Sequence, residues 1–201
     1  MISIVDYGMG NLKSVYKAFE YIGQKAKVTS DISEILKSEA VILPGVGAFG
    51  DSMENLNRLN LTETIKEYIY TKKPFLGICM GLQLLFEESS ESKNIKGLGI
   101  FKEKLVRFPK KMGYKVPHMG WNSIKIVKNS PLFKNIDNSS YVYFVHSYYV
   151  KGEFEYVCAE SDYIVPIGAA VNKDNVFATQ FHPEKSGEMG IEILRNFVNL
   201  I

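Results

Sequence analysis

The sequence predicts an α/β protein with a mostly parallel central sheet, flanking helices and a strand-rich, partly antiparallel C-terminal half. Two observations support this prediction. Up to Gly97, short apolar runs alternate with segments in which apolar residues recur at helical spacing, a pattern typical of parallel sheets covered by helices. After Gly97, the apolar segments become short, rich in β-branched and aromatic residues, and separated by turn residues, which favours antiparallel strands.

The N-terminal elements follow this alternation in order. The apolar run Ile2–Val5 predicts a strand that ends at the turn over 6–8. A helix is predicted next, up to Gly23, because apolar residues recur at helical spacing at Leu12, Val15, Tyr16, Phe19 and Ile22. The following segments predict, in turn, a strand at 26–28, a helix at 32–36, a strand at Ala40–Leu43, a helix at Leu61–Tyr70 and a buried strand after Pro74.

The C-terminal half predicts short strands and a closing helix. The strands are expected at 104–108, 114–116, 123–127, 141–145, 156–159, 164–171 and 176–181. The helix is expected over 187–201, with one apolar face formed by Met189, Ile193, Phe197 and Leu200. Since no internal repeat, low-complexity tract or linker interrupts the sequence, we expect one domain over residues 1–201.

Cys79 lies in a glycine-flanked turn between a short apolar run and a segment of helical spacing over 80–88. Gly77 and Gly81 lack the Cβ atoms that would crowd a sharp strand-to-helix turn, as in nucleophile elbows. The unpaired N–H groups at a helix N-terminus favour a thiolate, which is the reactive form of cysteine. The pattern predicts that Cys79 is a nucleophile, whereas Cys158 has no such flanks and is interpreted as a core residue.

His182 is the candidate base among the three histidines. His118 lies in a loop-like stretch, and His146 has no carboxylate within five residues on either side. If the strand at 176–181 continues in extended form, Glu184 projects to the same side of the chain as His182. A carboxylate there can accept a hydrogen bond from Nδ1 and leave Nε2 free to exchange a proton with sulfur.

Several segments resemble the class I glutamine amidotransferases, which hydrolyse glutamine with a Cys-His-Glu triad and pass the ammonia to a synthase. Beyond the triad, the resemblance runs along the whole chain through the segments ISIVDYGMGN (2–11), PGVGAFG (44–50), VPHMGWN (116–122), FVHSYY (144–149) and FHPEKSG (181–187). It implies the fold of that family and a catalytic triad of Cys79, His182 and Glu184. Together, the segments are most similar to members of the family that serve histidine biosynthesis.

The same resemblance implies roles for residues outside the triad. They are an oxyanion hole at Val46, Gly47 and Met80, contacts to the substrate's α-amino group from Gln83 and Glu91, and contacts to its α-carboxylate from Ser147 and Tyr148. No metal or cofactor is implied.

The residues give these roles unequal independent support. Gln83 lies one helical turn after Cys79, so its side chain can reach the same pocket. Glu91 belongs to an acidic run over 87–92 that by itself indicates a solvated helix end. The glycines of the segment 44–47 would also suit an ordinary strand-to-helix turn.

Composition excludes several classes of protein. With 201 residues, 46% hydrophobic content and a net charge of +2, the chain can bury one sizeable core and carries no basic block suited to nucleic acid. No apolar run approaches the ~20 residues of a membrane helix, and the N-terminus lacks a signal-peptide pattern. Because one of the two cysteines is expected to react as a thiolate, we expect the protein to be in a reducing compartment and therefore in the cytoplasm.

A partner is expected because ammonia is mostly protonated at neutral pH and would be lost to solvent. The sequence contains no second domain that could consume it, and the resemblance implies a heterodimer with a (β/α)8-barrel cyclase. Candidate contacts from loops around the triad are Asn11, Met119, Trp121, Asn122 and Lys185. A core tryptophan and a solvated lysine are the alternatives for Trp121 and Lys185.

Other functions stay open at this stage. The chain could feed ammonia to a different synthase, since glutamine chemistry is the same whatever the acceptor. It could instead be a non-hydrolytic regulatory binding module whose partner uses external ammonium. A stand-alone cysteine hydrolase acting on a small amide, ester or peptide is a further alternative.

Overall fold

The central sheet combines strands from both halves of the chain. The computed structural model describes residues 1–201. The strands are β1 (Ile2–Val5), β2 (Ala26–Thr29), β3 (Ala40–Leu43), β4 (Phe75–Ile78), β5 (Phe86–Ser89), β6 (Phe101–Arg107), β7 (His118–Ser123), β8 (Lys125–Ile126), β9 (Tyr141–His146), β10 (Tyr148–Tyr149), β11 (Val157–Asp162), β12 (Pro166–Lys173) and β13 (Val176–Thr179). The α-helices are α1 (Leu12–Tyr21), α2 (Ile32–Lys37), α3 (Phe49–Arg58), α4 (Leu61–Tyr70), α5 (Met80–Leu84) and α6 (Gly187–Val198), and short 3-10 helices span Pro131–Phe133 and Pro183–Lys185.

The eight-stranded sheet has the order β2-β1-β3-β4-β13-β12-β11-β8. From β2 to β13 neighbouring strands are parallel, and from β13 to β8 they are antiparallel. Smaller sheets join β10-β6-β5 and β7-β9. The predicted α/β class, with a parallel first half and a partly antiparallel second half, is confirmed.

Apolar residues cover both faces of the sheet. Along β1, Ile4 lies in one core and Val5 in the other, as expected for side chains that alternate across a strand. Helices α1 and α6 cover the first face, where Phe19 is fully buried, and α3 and α4 cover the second, where Ile65 is fully buried. Burying one such side chain contributes roughly 1.5–3 kcal/mol. No helix combines the length and apolar content that crossing a bilayer would require.

Two helices begin at side-chain caps. The Asn11 side chain accepts a hydrogen bond from the Ser14 N–H at 3.2 Å, and Asp31 accepts one from the Glu34 N–H at 2.9 Å. Each bond satisfies a backbone donor that has no partner within the helix, and losing such a cap typically costs ~1 kcal/mol. Helix α3 begins without a cap of its own and was not predicted from the sequence.

The helix expected over 80–88 is wrong in its second half. Helix α5 ends at Leu84, and the next residues form β5, which pairs in parallel with β6. The reason is tertiary packing, because the ring of Phe86 lies 5.1 Å from that of Phe101 and 5.6 Å from that of Phe154. Local helical spacing is thus overridden by an aromatic cluster formed with residues far along the chain.

Two predictions around residue 118 are also wrong. Residues 114–116 form no strand, and His118 lies in β7 rather than in a loop. Strand β7 pairs antiparallel with β9, and its pattern is hidden in the sequence because polar residues and Gly120 replace the usual apolar run. The strand expected at 123–127 is interrupted at Ile124, so that β7 ends at Ser123 and β8 begins at Lys125.

Gly81 provides a test of this packing. A Cβ atom added there would overlap the backbone carbonyl oxygen of Leu43 in β3, which cannot move without distorting the sheet. We expect Gly81→Ala to lower the free energy of unfolding by at least ~3 kcal/mol, at or above the upper end for overpacking. Chemical denaturation of the purified variant measures this loss.

Gly113→Ala is the matched control for Gly81→Ala. Its φ is +85°, but a Cβ atom there meets nothing within 4 Å, so only backbone strain of about 1 kcal/mol is expected. Equal losses in the two variants would contradict the assigned clash.

Candidate active site

The pairing of β4 with β13 brings distant parts of the sequence together. Ile78 at the end of β4 is opposite Thr179 at the end of β13, and the Cys79 N–H donates to the Thr179 carbonyl at 2.8 Å. Because the two strands are parallel, the residues that follow both of them leave the sheet at the same edge. Cys79 and His182 therefore lie at one edge of the sheet.

Cys79 occupies a strained turn. Its φ of 55° and ψ of −104° are unusual for a residue with a side chain, and such strain costs roughly 1–3 kcal/mol. The flanking glycines are required by close approach, since a Cβ at Gly77 would lie 2.7 Å from the Gly81 carbonyl oxygen. The sharp turn places the buried Cys79 side chain at the N-terminus of α5, in the wall of a pocket, and agrees with the elbow geometry inferred from the sequence.

His182 and Glu184 form a buried pair. The imidazole Nδ1 lies 2.7 Å from the Glu184 Oε1, and the two side chains are 2% and 1% exposed. His182 has the extended conformation expected for it, but the extension does not continue to Glu184, because Pro183–Lys185 is a 3-10 helix with His182 as its N-cap. The tight turn still brings the carboxylate to the imidazole. The Ser186 hydroxyl donates to the His182 carbonyl at 2.6 Å and so stabilises the turn.

The Cys79 sulfur adjoins the other side of the imidazole. His182 Nε2 is buried and has no hydrogen-bond partner of standard geometry, but the Cys79 side chain lies close enough to interact with the ring. Burial disfavours the imidazolium, yet interactions with Cys79 and then Glu184 outweigh it and raise the pKa of His182 to about 10. An imidazolium beside the sulfur would suit a reaction in which sulfur is the nucleophile and the ring is the proton donor.

A pocket of ≈ 240 Å³ opens above the sulfur. Its lining includes each residue assigned by sequence resemblance to the oxyanion hole or to substrate binding, together with Cys79. The full lining is Val46, Gly47, Cys79, Met80, Gln83, Glu91, Pro117, Val145, His146, Ser147 and Tyr148. The structure thus brings together in one cavity residues from five separate segments of the sequence.

Gln83 and Glu91 are held by hydrogen bonds in the pocket wall. The Gln83 Nε2 donates to the Tyr148 carbonyl at 3.1 Å and to the Gln180 Oε1 at 3.2 Å, which leaves its own Oε1 without a partner. Glu91 accepts the Phe49 N–H at 2.8 Å, so it satisfies the first backbone donor of α3. The expectation of a solvated helix end at Glu91 is therefore wrong, since the residue follows a strand and is partly buried.

The loop after β3 packs tightly against the elbow. Gly47 has a φ of 97°, which favours glycine, and a Cβ at Gly45 would overlap the Tyr7 hydroxyl. The Met80 N–H donates to the Gly45 carbonyl at 3.4 Å. Met80 can serve as an oxyanion donor only if this long bond is released.

The sequence did not predict Pro117, Val145, His146 and Gln180 as parts of the site. The first three line the pocket, and the Gln180 Nε2 lies 3.9 Å from the Cys79 sulfur. Gln180 has a recoverable signal, because a polar residue follows an apolar strand that leads into the proposed triad.

Three of the proposed partner contacts, Met119, Trp121 and Asn122, lie on β7. Met119 and Trp121 are 63% and 55% exposed, so Trp121 is not a core residue. The Lys185 ammonium lies 5.9 Å from the centre of the Tyr143 ring, and the Trp121 ring lies 6.2 Å from the same ring. Asn11 caps α1, and the Asn122 Nδ2 donates to the Asp162 carbonyl at 2.8 Å.

The chain is similar in sequence to a well-defined family. The sequence model described as "Glutamine amidotransferase class-I" matches residues 3–200. The chain is 56% identical to "Imidazole glycerol phosphate synthase subunit HisH" of Caldanaerobacter subterraneus subsp. tengcongensis, with 100% of this chain and 98% of that protein covered. It is 52% identical to the protein of the same name from Methanocaldococcus jannaschii, with both chains fully covered.

Solved structures share the fold at lower sequence identity. One is described as "Crystal structure of glutamine amidotransferase", with a TM-score of 0.76, 18% identity and coverage of 100% of this chain and 98% of that one. Another, "Structure of PurLQS from Thermotoga maritima", has a TM-score of 0.75 and 23% identity and covers 98% of this chain and 97% of that one. These similarities support the α/β architecture.

The raised pKa of His182 predicts a pH dependence that NMR can measure. The wild-type imidazole should stay protonated between pH 6 and 8, because its pKa of about 10 lies above that range. Glu184→Gln removes a negative charge that stabilises the imidazolium, so the pKa of His182 should fall in that variant. A nitrogen-detected titration of the imidazole checks both expectations.

Glu188→Gln serves as the control for that titration, because Glu188 is an exposed carboxylate in the first turn of α6. It should leave the pKa of His182 close to the wild-type value. A wild-type His182 that loses its proton near the ordinary value of ~6.5 would contradict the proposed ion pair.

Proposed function

The chain belongs to the class I glutamine amidotransferase family, and we propose that it is the glutaminase subunit of an imidazole glycerol phosphate synthase. It hydrolyses L-glutamine to L-glutamate and supplies ammonia to a cyclase that makes imidazole glycerol phosphate and aminoimidazole carboxamide ribotide. The observation that most supports this proposal is the meeting of Cys79 with the His182–Glu184 pair beneath one pocket. A single amidotransferase domain over residues 1–201 carries out the hydrolysis.

The first half of the reaction forms a thioester. The Cys79 thiolate adds to the side-chain amide carbon of glutamine, and the negative charge moves to the carbonyl oxygen. His182 then donates its proton to the amide nitrogen, and the C–N bond breaks. Ammonia departs, and a glutamyl thioester remains on the sulfur. Glu184 holds the imidazole in position and stabilises its charged form.

The second half restores the enzyme. His182, now neutral, accepts a proton from a water molecule as that water adds to the thioester carbonyl. The C–S bond breaks, glutamate is released, and the thiolate and imidazolium are formed again. The same imidazole therefore acts as the acid in one step and as the base in the next.

Backbone donors stabilise the oxyanion in both steps. Amides near Val46 and Gly47 line the pocket beside Met80, and each well-placed donor is typically worth ~3 kcal/mol of barrier. The Met80 N–H must first leave the Gly45 carbonyl, to which it is bound at 3.4 Å. The loop over 44–47 must therefore move before the oxyanion hole is complete.

Substrate recognition uses the rest of the pocket. The unpartnered Oε1 of Gln83 and the carboxylate of Glu91 suit the positively charged α-amino group of glutamine. Backbone groups of Ser147 and Tyr148 suit its α-carboxylate. Subsites that require both charges select a free amino acid over a simple amide.

The partner is a (β/α)8-barrel cyclase that binds over the active-site face as a heterodimer. Exposed Met119 and Trp121 are apolar anchors on β7, and Lys185, Asn122 and Asn11 provide polar contacts around them. Docking over the pocket keeps ammonia from solvent. A required thiolate at Cys79 suits the reducing cytoplasm, where we place the complex.

Cys79→Ala tests the catalytic assignment in the complex with the cyclase. Glutamate release should fall by at least ~10³-fold, because no other group can form the thioester. Synthase turnover with ammonium salts should remain, since the partner's own chemistry is untouched. Glutamine-dependent and ammonium-dependent product formation, measured in parallel, give both values.

The same pair of assays separates the rival functions. Glutamate release at the wild-type rate in Cys79→Ala would refute the catalytic role. A wild-type complex that turns over only ammonium would favour a regulatory module, and strong hydrolysis without a partner would favour a stand-alone hydrolase. Failure of the cyclase to bind or to raise glutamate release would point to a different synthase.

Trp121→Ala tests the docking surface. Removing a central aromatic anchor should weaken cyclase binding by about 10- to 100-fold, as is typical of interface hot spots. Tyr70→Ala is the control, because Tyr70 is 75% exposed at the end of α4 and lies outside the proposed contact. Titration calorimetry measures both affinities, and equal affinity in the two variants would place the interface elsewhere.

A further inference from the structure

A chain of hydrogen bonds runs from β7 to the glutamine pocket. The Asn122 Nδ2 lies 3.4 Å from the His118 Nε2, the His118 Nδ1 lies 3.1 Å from the His146 Nε2, and the His146 Nδ1 lies 2.9 Å from the Tyr148 carbonyl. Both histidines are buried, with 3% and 5% of their surface exposed. Neither takes part in the proposed reaction.

The chemistry of the partners fixes the direction of every bond. A carbonyl can only accept, so the His146 Nδ1 must carry a proton and donate to Tyr148. Burial lowers the pKa of His146 to about 3 and that of His118 to about 4, so both rings are neutral and each has one protonated nitrogen. The His146 Nε2 is then an acceptor, which requires a proton on the His118 Nδ1 and leaves the His118 Nε2 to accept from Asn122.

The far end of this chain determines how Gln83 is oriented. The Tyr148 carbonyl accepts both from His146 and from the Gln83 Nε2, so both of its lone pairs are used. The Gln83 Nε2 also donates to Gln180, so its two protons are both engaged. The amide oxygen of Gln83 is thereby left without a partner, buried in the wall of the pocket that Gln83 lines.

We propose that His118 and His146 are positioning residues that fix the Tyr148 carbonyl and thereby hold the Gln83 amide in place in the wall of the glutamine pocket. This inference rests on the proposed function, because it assigns a cause to the orientation of one substrate contact. Neither histidine touches the reacting atoms. Their loss should weaken glutamine binding without removing the nucleophile or its base.

Binding of L-glutamine to the Cys79→Ala protein provides the test, since that background cannot turn the ligand over. Adding His146→Leu removes the donor to Tyr148 and should weaken binding at least about 10-fold, because a carbonyl left without this donor no longer holds Gln83 in place. Adding His146→Asn restores an amide donor near the Nδ1 position and should bring the affinity within about 3-fold of the background. Titration calorimetry gives each dissociation constant.

Ser161→Ala in the same background is the matched control. Its buried hydroxyl donates to the Ser123 carbonyl of β7 at 2.7 Å, so the variant loses a comparable bond to the same strand but none in the chain. It should leave glutamine affinity unchanged. Equal weakening in Ser161→Ala and His146→Leu, or no rescue by Asn, would overturn the positioning role.

The tautomers of the two histidines can be measured in the wild-type protein, so this test does not depend on the folding of a variant. Nitrogen NMR of the imidazoles should show the proton on Nδ1 in both His118 and His146, a pattern that ordinary packing would not impose. A proton on the Nε2 of His146 would overturn the proposal while leaving the proposed function standing. If both tautomers are as expected but Cys79→Ala binds no glutamine, the proposed function fails and the positioning role fails with it.

Discussion

The parallel pairing of β4 with β13 is the contact on which the site depends. It joins strands about a hundred residues apart and places the residues after Ile78 and Thr179 at the same edge of the sheet. Every group in the proposed reaction is positioned relative to that edge: Cys79 directly after one strand, and His182 in the turn after the other. The two cores on either face stabilise the pairing, so packing far from the pocket fixes the separation of sulfur and imidazole.

Backbone strain and several buried polar atoms without partners occur together at the site. Cys79 has a strained backbone, and four of the buried polar atoms without partners lie in or beside the site: Tyr7 Oη, Gln83 Oε1, His182 Nε2 and Glu184 Oε2. Buried polar atoms are otherwise paired in stable proteins. Groups held without partners are available to a ligand or to a proton in transit, so these costs are the structural counterpart of a prepared active site. The surrounding strands and helices stabilise the protein enough to tolerate them.

The sequence predicted the structure best where the signal lies within one short segment, either as the spacing of apolar residues or as the residues next to a reactive side chain. The apolar runs of β1, β3 and β4 and the helices α1 and α4 were predicted from spacing, and the flanking glycines of Cys79 predicted the elbow. Strand β5 was missed because the Phe86 ring packs with residues from later in the chain, and β7 was missed because its residues are polar and include a glycine. Glu91 shows the same limit: its role at the start of α3 depends on a fold that an acidic run alone does not reveal.

Labelling with a diazoketone analogue of glutamine is the most direct test of whether the Cys79 sulfur is the nucleophile toward glutamine. Activity should be lost in step with the formation of one covalent adduct per chain, peptide mass spectrometry should map the adduct to Cys79, and excess glutamine should prevent it. Cys158 should stay unmodified, because burial raises the pKa of its thiol to about 12. Inactivation without an adduct on Cys79, or an adduct on Cys158 that glutamine does not prevent, would show that Cys79 is not the nucleophile.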